Sequence, residues 1–435
     1  MRLEIGCFKV KDIVFADKTQ LLNGVLYVNK EEALNVVRED SHITDADLVI
    51  VHPGDMVRLC PVKESVEFRC KVSGGQGAFP GVTSPLGQAG MGRTHVLEDV
   101  TLLAVGKHWG GFQDGLIDIG GPFQHHTIWG NMVNLVLVAD TDELFEQREQ
   151  QKKNHAIRWG AMRLAEHIAE CVRSLEPDRI DVYDLPPIAE RDEKTKALPS
   201  VVYVLQPQTQ MEALGYNTMI YGWDGNRMLP TLMHPNELLD GCMVSGSFMP
   251  SSSKISTYEF STNPMIKRLY AAHGKTINFL GVIISTLNPK MEEKVRCVQI
   301  AGQIAVNIGA QAAVIAEEGY GNPDVDYTAM LVEFERLGIK TIGLSDESTG
   351  RDGASQPLVS MNPASDALVS TGNVSQYYEM PPMKIIGELE ALARDGNSGG
   401  WEGCINPDGS CVMENNGMFC ANHISGYSKR TCADF

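Results

Sequence analysis

Ala312-Ala313-Val314-Ile315-Ala316-Glu317-Glu318-Gly319-Tyr320-Gly321-Asn322-Pro323-Asp324 is the stretch that decides the fold class. Five small or β-branched apolar residues read as a buried strand. Two carboxylates and a Gly-Tyr-Gly turn end it, and a helix follows. The same pattern extends in both directions. Upstream lie a helix over roughly 290–308, a strand Ile277-Asn278-Phe279-Leu280-Gly281-Val282-Ile283-Ile284 and a strand Val201-Val202-Tyr203-Val204-Leu205. Downstream, a helix over roughly 325–337 leads to a strand at 339–344, and Ala367-Leu368-Val369-Ser370 follows. Strands alternating with helices predict a mainly parallel, doubly wound sheet with right-handed crossovers. Functional loops should then lie at the strands' carboxyl ends: 317–324, 346–353 and 371–373.

Residues 1–145 have another texture. Short apolar runs such as Gly24-Val25-Leu26-Tyr27-Val28, Leu48-Val49-Ile50-Val51 and Asn134-Leu135-Val136-Leu137-Val138 are separated by Gly, Pro and Asp turns. They predict a β-rich, glycine-rich N-terminal domain. Residues 146–199 read as an amphipathic helix, with Ala161, Leu164, Ala165, Ile168 and Cys171 at helical spacing, then a Pro-broken connector. Residues 200–435 form the α/β domain. The class is therefore α/β, a β-rich domain followed by a doubly wound one, with no internal repeat.

Charge narrows the partners. The 435 residues carry 37 Lys and Arg against 55 Asp and Glu, a net charge of −18. Such a chain repels nucleic acid and anionic lipid in bulk. No apolar leader and no run of ~18 apolar residues is visible, so a cytoplasmic protein is expected, neither secreted nor membrane-spanning. Ten scattered cysteines read as reduced thiols rather than a disulfide framework.

The familiar catalytic motifs are missing. Gly75, Gly77 and Gly81 do not keep the dinucleotide-binding spacing, and no phosphate loop or serine-hydrolase elbow occurs. Cys404, Cys411 and Cys420 are too widely spaced for a zinc knuckle. His108, His125 and His126 are candidates for a metal-dependent hydrolase. Adjacent histidines on a strand point to opposite faces, however, so no metal is assigned and His125 and His126 are read as substrate-contacting. Glu318 and its neighbouring acids suit either an amine contact or a helix N-terminus. Arg351 and Arg93 suit a substrate carboxylate or a plain salt bridge. Trp109, Trp129, Tyr221 and Trp223 sit beside glycines, as core filler or as ring faces for a methylated ammonium.

The segment His234-Pro235-Asn236-Glu237 through Gly241-Cys242-Met243-Val244-Ser245-Gly246-Ser247-Phe248-Met249-Pro250-Ser251-Ser252-Ser253-Lys254 is the most unusual. A thiol or hydroxyl after a tight glycine turn can attack its own preceding carbonyl, and elimination would leave a pyruvoyl group. Gly241-Cys242 and Gly246-Ser247 both have that form. The same stretch also reads simply as a glycine-rich loop.

Several separated stretches now act together: Met1-Arg2-Leu3-Glu4-Ile5-Gly6, Asn23-Gly24-Val25-Leu26-Tyr27-Val28-Asn29-Lys30, Gly92-Arg93-Thr94-His95-Val96-Leu97, His234-Pro235-Asn236-Glu237, the 317–324 loop and Gly350-Arg351-Asp352-Gly353. Through them the chain resembles, end to end, the component B alpha/beta proproteins of glycine/sarcosine/betaine reductase. The resemblance implies an anaerobic amino-acid reductase of Stickland fermentation. It implies a selenocysteine-containing gamma subunit and a selenoprotein component A as partners, an oligomeric assembly, and a pyruvoyl group made from the chain itself by splitting at a cysteine, for which Cys242 is the first candidate, with Ser247, Ser251 and Ser252 as alternatives. The implied substrate is betaine, sarcosine or glycine, cleaved at its C–N bond, and the carboxymethyl group ends as acetyl phosphate. A pyruvoyl carbonyl can condense with glycine or sarcosine but not with the quaternary nitrogen of betaine. The Ser-Phe-Met-Pro-Ser stretch leans toward the N-methylated substrates. The rival reading is an uncleaved subunit that binds substrate without chemistry of its own.

Overall fold

A computed structural model describes residues 1–108, 114–142, 150–210, 217–365, 367–393 and 399–427. Its centre is a six-stranded sheet in the order Thr231–Met233, Asn278–Ile284, Ser200–Gln206, Ala312–Glu317, Lys340–Glu347, Leu368–Asn373. All neighbouring pairs are parallel except the edge pair Thr231–Met233 with Asn278–Ile284. Counted along the chain, the parallel strands run 2-1-3-4-5. That order places the topological switch point between Ser200–Gln206 and Ala312–Glu317, where crossovers leave in opposite directions and open a crevice. Helices Met291–Asn307 and Asn322–Arg336 cover one face through Val298, Ala301, Met330 and Phe334. Phe260, Ile266 and Leu269 cover the other. Burial on both faces explains why these strands are continuous apolar runs.

The N-terminal half is β-rich, with two larger mixed sheets and a small one of Asp12–Phe15, Val25–Val28 and Gln20–Leu22. Of the larger two, one orders Arg179–Asp184, Arg2–Lys9, Gly92–Glu98 and Arg69–Ser73. The other orders Gly115–Asp118, Val57–Val66, Val100–Gly106, Val133–Thr141 and Ile43–Val51. The 20-residue helix Gln150–Ala169 packs Ile157, Ala161, Leu164 and Ile168 into the core between them. Three features differ from the sequence reading. The connector contains a strand, Arg179–Asp184, antiparallel to Arg2–Lys9. A helix, Lys30–Val37, opens where the Asn29 side chain accepts from the amides of Glu31 and Glu32. His125 and His126 end a 3₁₀ turn, Gly121–His126, begun by Pro122 rather than a strand.

The chain also returns. Lys384–Gly387 adds to the N-terminal sheet beside Val57–Val66, and Phe419 and Cys420 join the core around Trp129. Among the described residues, no helix is long and apolar enough to cross a membrane.

Candidate functional site at the carboxyl edge of the parallel sheet

Gln206 and Glu317 end the two strands at the switch point and are register partners, so their side chains share a face. Over them folds the segment 245–257, whose Ser247, Ser251, Ser252, Ser253 and Lys254 are all buried. Three contacts pin it. Glu318 accepts from the amides of Gln208 (2.9 Å) and Ile255 (2.8 Å). Glu64 accepts from the Thr257 amide (3.0 Å), and Arg158 neutralises it at 2.9 Å. The Ser251 carbonyl accepts from the Cys420 amide at 2.8 Å. Gly115 is required beneath, because a Cβ there would stand 1.9 Å from Ser251 Oγ.

The lining is acidic. Burial pushes Glu318 up to about 7, against the pull of its two amide donors. Burial pushes Asp346 to about 7 as well, opposed by bonds from Ser253 and Asn422. Glu317 is raised well above the ordinary carboxyl value, first by burial and then by the nearby carboxylates. Among the described residues, Gln206 Oε1, Gln208 Oε1, Glu317 Oε2, Asp346 Oδ1, Ser247 Oγ, Ser251 Oγ and Thr371 Oγ1 are buried without a partner. These atoms leave the edge with hydrogen-bonding capacity that the described residues do not satisfy. Lys254 is the buried cation among them. Its Nζ donates to the carbonyls of Lys63 (3.1 Å) and Gly246 (3.2 Å), sits 5.4 Å over the Phe419 ring, and is held below the usual lysine range by burial.

A hydrogen-bond chain leads outward. Asp346 accepts from Ser253 and from Asn422 (3.1 Å), and Asn415 donates to Asn422 (2.8 Å). Beside Asn415, Glu414 lies directly opposite Tyr377 on the two-stranded ribbon Tyr377–Met380/Cys411–Glu414. Trp401 stacks near Tyr377 with centroids 5.5 Å apart. Arg351 reaches this corner from the loop after Lys340–Glu347. Its guanidinium lies 3.8 Å over the Tyr377 ring, 5.6 Å from Trp401 and 3.4 Å from Glu414. Asn373 anchors that loop through the Gly350 carbonyl at 2.9 Å.

Glu318, Ser247, Ser251, Ser252 and Arg351 therefore share the carboxyl edge. The other candidates are dispersed. Cys242 is fully buried in the core, its carbonyl bonded by the Tyr221 amide at 2.8 Å, and burial raises its thiol well above the ordinary value. Tyr221 and Trp223 line a separate cleft of about 600 Å³ with Met228, Met233 and Glu237, and Glu237 is occupied by the Tyr221 hydroxyl at 2.6 Å. Trp129 is buried against Phe419, so its faces meet protein. Arg93 is paired with Glu4 at 2.6 Å. His125 meets Asn131 at 2.9 Å, and His126 packs on Phe123 and Tyr378. Trp109 lies outside the described residues. His108 meets Asp140 at 3.2 Å and is pushed down to about 2, chiefly by burial. The three histidines do not converge. Among the described residues the one group of potential metal ligands is Cys7, Glu98 and Asp181, and the Arg179 guanidinium bonds all three. The sequence reading missed Tyr377, Trp401 and Glu414. Their signal was faint: a lone Trp after Gly399-Gly400 and a Tyr pair 24 residues before it in a loop-rich tail.

A sequence profile described as glycine/sarcosine/betaine reductase component B subunits matches residues 1–433. The chain is 56% identical over the full length of both chains to the betaine reductase complex component B subunit alpha of Peptoclostridium acidaminophilum. It is 38% identical to the glycine reductase complex component B subunits alpha and beta of Acetoanaerobium sticklandii, again over both full lengths. To the sarcosine reductase complex component B subunit alpha of P. acidaminophilum it is 36% identical over 99% of each. No solved structure matches. With one profile spanning nearly every residue and full-length relatives above 30% identity, the chain belongs to the glycine/sarcosine/betaine reductase component B family.

Proposed function

We propose that this chain is the substrate-specific subunit of a betaine reductase complex. The observation that carries the reading is the gap in full-length identity: 56% to the betaine relative against 38% and 36% to the glycine and sarcosine relatives. The chemistry of the carboxyl edge suits it. A trimethylammonium group has no N–H to donate and no lone pair with which to condense on a carbonyl. Ring faces and a carboxylate hold it instead, and a guanidinium takes its carboxylate. Tyr377, Trp401, Glu414 and Arg351 supply those parts.

In this reading a selenium nucleophile on a partner subunit attacks the α-carbon. A Se–C bond forms, the C–N bond breaks, and trimethylamine leaves with the bonding pair. The subunit acts in the cytoplasm, within an oligomeric complex that includes the gamma subunit and component A. Titration calorimetry of the purified chain tests it: betaine binds, and glycine at the same concentration gives no heat. Equal heats from glycine would overturn the substrate.

One contact pattern favours a second reading, self-cleavage to leave a pyruvoyl group. The Gly246 carbonyl oxygen accepts from both Lys254 Nζ (3.2 Å) and Ser245 Oγ (3.4 Å), beside a Ser247 hydroxyl that has no partner among the described residues. Two donors on one carbonyl polarise it toward attack. That geometry favours Ser247 over Cys242. A mass spectrum with one species at 47.6 kDa supports the intact betaine subunit. Two fragments meeting between 246 and 247 support the second reading.

A further inference from the structure

The corner formed by Tyr377, Trp401 and Glu414 already contains a cation. Tyr377 and Glu414 face the same side of their ribbon because they are register partners, while Tyr378 and Met413 turn into the core. Trp401 is brought alongside by Gly399, where φ is +82° and a Cβ would meet the Gly417 amide nitrogen at 2.4 Å. The occupant is the protein's own Arg351 guanidinium, stacked on one ring, near the second and ion-paired to the carboxylate. That occupant is weakly held. The Arg351 side chain is 61% exposed and its contacts to Glu414 are long, both at 3.4 Å. An exposed pair of this kind stabilises little. Glu414 is itself part-buried, and that burial disfavours its anion, an effect the neighbouring Arg351 cation offsets.

Resting on the betaine reading above, we propose that Arg351 is a displaceable occupant of the cation corner. The substrate's trimethylammonium takes its place against Tyr377, Trp401 and Glu414, and the freed guanidinium swings onto the substrate carboxylate. A zwitterion therefore exchanges one pair of contacts for another. The corner gives up a guanidinium and receives a quaternary ammonium, and Arg351 leaves Glu414 for the ligand's carboxylate. A bare quaternary ammonium, with no carboxylate to reward the swing, competes with Arg351 and binds poorly. This makes the arginine a specificity device. It favours ligands carrying both charges in one small molecule and rejects simple methylated amines.

Calorimetry on the full chain, with tetramethylammonium chloride and betaine as probes, tests the exchange. Arg351→Ala empties the corner. Tetramethylammonium should bind about five- to tenfold more tightly, the scale of one exposed cation–ring contact plus one exposed ion pair, while betaine weakens by tenfold or more. Arg351→Lys keeps a cation in place, and tetramethylammonium affinity should stay near that of the parent. Trp401→Ala should weaken tetramethylammonium binding to the Arg351→Ala chain. The proposal is overturned if Arg351→Ala leaves tetramethylammonium affinity unchanged, or if removing Trp401 has no effect on it. A parent chain that ignores betaine, with the tetramethylammonium gain intact, would overturn the substrate reading while leaving the corner as assigned. The exposure of Arg351 makes misfolding of its variants an unsuitable explanation, and unchanged thermal midpoints would verify this.

Discussion

Asp346→Asn separates the stability of the carboxyl edge from its function. Asp346 Oδ2 accepts from Ser253 and Asn422, while Oδ1 has no partner. An asparagine oxygen can keep both bonds, and its amide occupies the place of the orphaned atom without a charge. In the folded chain Asp346 releases its proton near 7, chiefly because burial disfavours the anion, against an ordinary value of 3.8. The sign follows from proton binding. Between those values the folded state holds the proton and the unfolded state does not, so stability is lost as pH rises from 3.8 and levels off above about 7. The full cost is about 4 kcal/mol, and about 3 kcal/mol of it appears between pH 5 and pH 8. Guanidinium unfolding of parent and variant at those two pH values reads the effect. The variant should gain on the parent by about 3 kcal/mol on going from pH 5 to pH 8, and it should lose activity because the edge has lost a carboxylate. A variant destabilised equally at both pH values would refute the reasoning, since that pattern belongs to lost packing rather than a buried charge.

Other outcomes follow from the placement of the remaining candidates. Cys242→Ala should cost about 1–2 kcal/mol, the scale of a small buried truncation, and leave chain integrity and turnover as in the parent. Trp129→Ala should cost about 3–5 kcal/mol in unfolding experiments with no change in substrate preference, because its ring packs against Phe419 and His423. Trp223→Ala should change neither stability nor betaine affinity by a measurable amount, because Trp223 is 68% exposed in the separate cleft. A loss of betaine affinity there would move the substrate site to that cleft.

The doubly wound half was legible because strands buried on both faces are unbroken apolar runs, as in 312–316 and 277–284. Position at a strand's carboxyl end was enough to single out Glu318 and Arg351. The 2-1-3-4-5 order was not legible, since it depends on pairings between strands about 80–110 residues apart. Strand Arg179–Asp184 escaped because Arg179, Asp181 and Asp184 interrupt it and Ile180 and Val182 stay exposed at a sheet edge. The aromatic corner escaped for the same long-range reason. Tyr377 meets Glu414 across a ribbon and Arg351 from another strand's loop, and no local spacing records that meeting. Conversely, glycine beside tryptophan looked alike at Trp129 and Trp223, although one ring is enclosed and the other open.

The central claim is that this subunit delivers an N-methylated zwitterion to a reducing partner. Its most direct test is to reconstitute the complex around this chain and quantify the released amine by NMR with betaine, sarcosine and glycine in parallel. The account predicts stoichiometric trimethylamine from betaine and no ammonia from glycine. Ammonia from glycine with no trimethylamine from betaine would contradict it.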